Sequence, residues 1–253
     1  MSSIETQLSI VKSRIQRACI ASGRDVNSVR LIAVSKRMPS EAIREAYAAG
    51  QRDFGENYVQ ELLRKSEDLA DLPDLRLHLI GHLQTNKVKS VVRAVSMIQS
   101  IDSLRLIEEL GKRVLLPAVD GSRRIDLGQD GAQTSKVLDA GLPVLVEVNV
   151  AGEAQKSGCS PDEVENLIEA IERLPHVYAC GLMTVPPFTD DPKEARPYFD
   201  ALRALRDRLG GPSRLPELSM GMTADLEEAI SAGATIVRIG TAIFGARPAR
   251  EEP

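Results

Sequence analysis

Eight times along this chain of 253 residues, a short run of β-branched and other apolar residues precedes a stretch with apolar residues three or four apart. A leading stretch comes first: Ile4, Leu8, Val11, Ile15 and Cys19 share one helical face, and Ser2 and Glu5 have capping-box spacing. Strands are then expected at 29–34, 52–54, 75–80, 97–101, 143–150, 177–183, 215–220 and 236–239. The runs are apolar throughout rather than alternating, as in parallel strands buried on both faces. Eight parallel strand-plus-helix units close into a barrel, so the expected fold is α/β, a single (β/α)8 TIM barrel behind one N-terminal helix. An open doubly wound sheet is the rival. However, no GxGxxG follows the first strand, and neither GxxxxGKS nor GxxxxGKT occurs. Residues 1–247 form the expected domain and 248–253 a short tail. Between 117 and 133 the periodicity lapses into a polar, glycine-bearing loop.

Composition narrows the function. Apolar residues are 43% and charged residues 27%, as in a folded globular chain. Against 32 basic side chains stand 36 acidic ones, a net charge of −4, which argues against general nucleic-acid binding. No apolar run reaches the roughly 18 residues of a membrane span, and the first residues do not read as a signal peptide. Three scattered cysteines, Cys19, Cys159 and Cys180, form no CxxC pair, so a reduced, cytoplasmic protein is expected.

Barrel chemistry gathers at the carboxyl ends of the strands, where this sequence places polar residues repeatedly. Lys36 follows the apolar LIAVS. Partial desolvation at a barrel mouth favours a neutral amine able to form an imine, although a surface lysine opening a loop fits equally well. Ser219, Met220 and Gly221, with Gly240 and Thr241, follow strands seven and eight, the usual barrel phosphate site. Arg238 interrupts an apolar strand and is expected to point into the barrel mouth. Asn57 reads as a pocket residue or as a helix N-cap. His78 and His82 are four apart, yet His78 falls within a strand and no further ligand cluster accompanies them, so no metal site is expected.

These motifs together resemble a known family. AVSK around Lys36, FGENYVQE at 54–61, HLIGHLQTNK at 78–87, GLMTVPP at 181–187, LSMGMTADLEEAI and VRIGTAIFG are similar to the pyridoxal-phosphate homeostasis proteins, from the first helix to about Arg247. That family binds pyridoxal 5′-phosphate (PLP) on a barrel like the N-terminal domain of alanine racemase, the third fold type of PLP proteins. The resemblance implies that Lys36 carries PLP covalently as a Schiff base. It implies that Ser219, Gly221, Gly240 and Thr241, with Met220 in the same segment, hold the phosphate. Arg238 would face the pyridine nitrogen, and Asn57 and His82 would line the pocket near the ring. Two departures stand out: the segment 114–135 is longer and more polar than the family pattern, and Thr223 replaces an expected serine.

A cationic Arg238 disfavours protonation of the pyridine nitrogen and so weakens carbanion stabilisation by the ring. The barrel is expected to take up almost the whole sequence and to leave no room for the second domain that completes a racemase. The expected function is therefore a non-catalytic, monomeric PLP carrier that regulates PLP supply, with PLP-dependent client enzymes as possible partners. The alternatives are a PLP-dependent amino-acid racemase or lyase, for which Tyr58 and His82 are the nearest second acid–base groups, and a cofactor-free lysine-imine aldolase. Neither nucleic acid nor membrane is an expected partner.

Overall fold

In the computed structural model, residues 3–114, 141–153 and 155–245 are described. The expected tail and nearly all of the polar segment 114–135 lie outside them. A leading helix α1 (Ile4–Ala21) precedes β1 (Arg30–Val34), α2 (Ser40–Ala48), β2 (Asp53–Glu56), α3 (Val59–Asp68), β3 (Arg76–Leu79), α4 (Val88–Val91), β4 (Met97–Ile101) and α5 (Leu104–Arg113). After the undescribed stretch come β5 (Leu142–Glu147), α6 (Val164–Glu172), β6 (Val177–Met183), α7 (Arg196–Arg208), β7 (Glu217–Ser219), α8 (Leu226–Ser231), β8 (Ile236–Ile239) and α9 (Thr241–Phe244). All eight strands pair in parallel and in sequence order, and β8 closes onto β1. The expected barrel is the observed one.

Local chemistry explains most boundaries. Ser160 caps its segment through a complete capping box with Glu163, and Asp191 accepts from the Lys193 N–H before Pro192 opens the next turn. The first helix is capped by Ser3, which accepts from the Thr6 N–H, rather than by Ser2. The spacing of Val88, Val91, Val92 and Val95 predicts one helix over this stretch. It holds a single α-turn, α4, behind a 3₁₀ turn, because four β-branched valines crowd so short a segment. The fifth strand stops at Glu147 instead of Val150, as Val148 already bridges to Cys159 in the following loop.

Two apolar layers hold the barrel. Inside lies a small cluster of Ile32, Met97, Leu145, Cys180, Met183 and Ile236. Outside, strands and helices share the larger core. Helix α1 buries Leu8, Val11, Ile15, Ala18 and Cys19 and packs on α2, α8 and α9, with Leu8, Val11 and Ile15 each worth about 1.5–3 kcal/mol. Its Arg14 also donates to both Glu227 carboxylate oxygens at 2.8 Å and to the Thr223 carbonyl at 3.0 Å, tying it to the loop after β7. At the amino ends of the strands, Asp53 pairs with Arg76 at 2.7 Å and Glu217 with Arg30 at 3.4 Å, so opposite charges close the barrel floor.

Candidate functional site

The ends of β1, β2 and β8 are adjacent, because Val34 pairs with Gly55 and Ala33 with Ile239. Lys36, Asn57 and Gly240 leave these strands at the same mouth. Lys36 is half-buried and sits on a sharp turn: Met38 N–H donates to the Ser35 carbonyl at 3.0 Å, and Arg37 is left-handed, with φ 63°. Asn57 is half-buried and makes no side-chain cap for α3; its Oδ1 is buried and has no hydrogen-bond partner. Gly81 packs directly on it, since a Cβ there would fall 2.3 Å from the Asn57 carbonyl oxygen.

Arg238 points into the barrel, as a cation in an apolar strand must. It is 4% exposed, donating to Ser219 Oγ at 2.6 Å and to the Thr184 carbonyl at 2.9 Å. Burial pulls its pKa down to about 10, partly offset by the charge of Glu147. Ser219 Oγ donates onward to Gln99 Oε1 at 2.6 Å, and Gln99 Nε2 lies 3.5 Å from His78 Nδ1. His78 Nε2 is 2.9 Å from Asp53 Oδ1. Every donor in this chain can face the same way, from the Arg238 cation at the mouth to the Asp53 carboxylate at the floor, and such aligned bonds reinforce one another. His78 is fully buried, and desolvation lowers its pKa against the pull of Asp53, so its neutral tautomer donates from Nε2.

Glu147 faces the same interior, two residues beyond Leu145 on β5. It is 7% exposed, and its Oε2 has no partner. Burial pushes its carboxyl up to about 7, partly offset by Arg238 and reinforced by Asp102. The mouth thus holds one cation fixed by neutral acceptors and one acid close to neutrality.

The loops after β7 and β8 converge as expected. Thr241 Oγ1 lies 3.3 Å from Thr223 Oγ1, and the Arg238 N–H donates to the Gly221 carbonyl at 2.9 Å. Gly221 has φ 95°, and a Cβ would fall 2.5 Å from the Ala229 Cβ, so only glycine fits this turn. Within the group, side-chain roles differ from expectation. The Ser219 hydroxyl is turned inward and occupied by Arg238 and Gln99. Met220 is buried, with its N–H given to the Ile236 carbonyl. The paired hydroxyls of Thr223 and Thr241 instead face the loop junction.

His82 stands apart from this group. It is exposed on the rim, 3.2 Å from Asp102, beside a cleft of about 390 Å³ shared with Ser103 and residues 155–158. His78 and His82 therefore do not face a common point. Among the described residues, no group of three or more His, Cys, Asp or Glu side chains could hold a metal ion.

Sequence reasoning missed three polar members of the interior. Gln99 and Glu147 carried the same signal as Arg238, a lone polar residue in an apolar strand. Lys65 carried another, a lysine on the apolar stripe of Val59, Leu62 and Leu69; it is fully buried.

The residues fit PLP. The Asn57 and Glu147 oxygens without partners are unused hydrogen-bonding capacity at the mouth that also carries Lys36 and Arg238. The glycine turn and the two threonine hydroxyls leave room and donors for an anion.

The chain's likeness to known proteins agrees. The family model of the alanine racemase N-terminal domain matches residues 12–248. The pyridoxal phosphate homeostasis protein of Aquifex aeolicus is 46% identical, over 95% of this chain and 97% of that protein. The human protein of the same name is 35% identical, over 97% of this chain and 87% of its own. Among solved structures, PipY of Synechococcus elongatus with PLP bound has a TM-score of 0.75 at 34% identity, covering 96% of this chain and all of that one. Alanine racemase from Corynebacterium glutamicum, at 15% identity and a TM-score of 0.61 over 97% of this chain and 63% of its own, shares the fold. The barrel, its polar mouth and these full-length similarities place this chain in the pyridoxal phosphate homeostasis protein family.

Proposed function

We propose that this chain binds PLP on Lys36 and regulates intracellular PLP supply rather than turning over a substrate. The observation that carries the reading is the placement of Lys36 and the buried Arg238 at the ends of neighbouring strands, on the barrel of a relative solved with PLP. PLP, when bound, would supply an aldehyde, and Lys36 is the residue that would hold it covalently. Thr223, Gly240 and Thr241 take the phosphate, with Gly221 shaping the turn beneath it. Arg238, held by Ser219 and Thr184, presents a cation to the pyridine nitrogen. Asn57 offers its free oxygen to the ring.

A carrier role fits the acid–base inventory. Arg238 opposes protonation of the ring, which weakens its use as an electron sink. The two second acid–base groups named from the sequence, Tyr58 and His82, are both exposed at the rim, which leaves Glu147 as a buried acid near Arg238. A cytoplasmic, monomeric protein that passes PLP to client enzymes completes the proposal. Its three cysteines are free and buried, as suits a reducing compartment, and a closed barrel leaves no strand edge to pair. No helix among the described residues is long and apolar enough to cross a membrane.

The test is the visible absorption spectrum of the purified protein beside Lys36→Ala. A yellow band in the native protein, lost or shifted in the variant, supports the assignment. A colourless protein after incubation with PLP and dialysis overturns it and favours cofactor-free lysine chemistry. Racemisation of an amino acid by the loaded protein faster than by free PLP would overturn the carrier role alone.

A further inference from the structure

We propose that Lys65, buried beneath the Lys36 turn, is a positioning residue that brackets Lys36 from both sides of the chain. The proposal rests on Lys36 being the PLP-bearing residue. Lys65 lies on the inward stripe of α3 with no exposed surface. All three of its ammonium protons are used: Nζ donates to the Ser35 carbonyl, to Glu56 Oε1 and to Glu61 Oε1, each at 2.7 Å. Ser35 Oγ donates to the same Glu56 oxygen at 2.6 Å. The Arg37 N–H donates to the same Glu61 oxygen at 2.6 Å. One ammonium therefore holds the residue before Lys36 directly and the residue after it through Glu61.

Two considerations make this more than packing. Stability alone gives little reason for charge at this position, because a buried ion pair is often no better than apolar residues of similar volume. The turn also needs holding. Arg37 is the only left-handed residue other than glycine among the described residues, and such strain persists only where the surroundings over-determine it. The contacts that over-determine it here run through Glu61 to Lys65. The ammonium of Lys65 donates to the backbone just before Lys36 and to two carboxylates, one of which holds the backbone just after it, so its role is to fix where the Lys36 amine stands.

Lys65→Met paired with Glu56→Gln removes both charges of the buried pair and keeps side-chain length. Glu61→Ala removes the arm to Arg37 together with one of the three acceptors of Lys65, at the partly exposed end of the network, and leaves the bonds to Ser35 and Glu56 in place. Thermal melting and circular dichroism identify which variants fold. Hydrogen exchange of the peptide spanning residues 35–40, without PLP, reads the turn itself. The growth rate and pH profile of the PLP band read the amine. In a folded variant the Arg37 and Met38 amides are expected to exchange at least tenfold faster. The band should form at least tenfold more slowly, with its pH midpoint moved. The effect of Glu61→Ala should be smaller and in the same direction. Exchange and band growth within twofold of the parent in either folded variant would overturn the proposal. Faster exchange in a protein that forms no band even unmutated would sustain the bracket and defeat the Lys36 assignment instead.

Discussion

The guanidinium of Arg238 donates to the Ser219 hydroxyl at 2.6 Å, and this contact removes that hydroxyl from the phosphate loop and places it in the barrel's interior chain. Ser219→Ala should therefore act on Arg238. A hydrogen bond to a charged group is worth about 1.5–3 kcal/mol. With Arg238 no longer held by Ser219, the dissociation constant for PLP rises by roughly 10- to 100-fold, and the melting temperature falls because Arg238 and Gln99 each lose a buried partner. Equilibrium dialysis with PLP checks this. Thr241→Val should weaken inorganic phosphate as a competitor, whereas Ser219→Ala should not; the opposite ranking would return Ser219 to the phosphate site.

Gly81→Ala tests the contact between the third and second strand ends. The new Cβ would stand 2.3 Å from the Asn57 carbonyl oxygen and 2.8 Å from its Cα, backbone that gives way only by moving. A loss of about 1–3 kcal/mol in urea unfolding is expected. Weaker PLP binding should accompany it, as Asn57 is pushed from its place. Unchanged stability and affinity would show that the loop relaxes freely.

Glu147 gives a pH dependence of known sign. Burial raises its carboxyl to about 7, so folding favours the protonated form. Its stabilising effect is complete below the ordinary glutamate value of 4.5 and is lost as pH rises through about 7. Glu147→Gln, which mimics the protonated acid, should match the parent near pH 4.5 and exceed it at pH 8 by about 1–3 kcal/mol. Chemical denaturation at both pH values decides; a gap that does not grow with pH would sink the assignment.

Asp53 gives the opposite sign. Burial opposes its ionisation, but hydrogen bonds from Arg76 and His78 prevail and hold the carboxyl well below 3.8. It therefore stabilises the fold above that value, and the contribution fades as pH falls through and below it. His78, lowered by burial, acts in the same direction, its share being lost as pH drops below 6.5. Asp53→Asn should lower stability at pH 7 by about 3 kcal/mol, as expected for a broken buried pair, and the difference should shrink on acidification below pH 4. Acid-unfolding curves of both proteins test this.

The order of elements, the barrel and the leading helix were all legible in the sequence, because apolar periodicity is written into neighbouring residues and eight parallel units have few ways to close. Strands 97–101, 177–183 and 236–239 were read residue for residue. So were the identities at the mouth: Lys36, Asn57, Arg238 and the glycine–threonine loops all stand at strand ends, where a barrel puts its chemistry. What only the tertiary structure decided is which atom each polar group meets. Ser219 lies 19 residues from Arg238 and 120 from Gln99, and nothing local says that its hydroxyl turns inward to both. His82 shares a motif with His78 yet faces the rim, since the strand ends between them. Lys65 looks from its spacing to Glu61 like an exposed helical pair and from its spacing to Val59, Leu62 and Leu69 like a buried residue, and the packing of α3 decides between them. Periodicity reports which face of an element is inside; the partners that face will meet are set by the closure of the barrel, which brings together residues the chain keeps far apart.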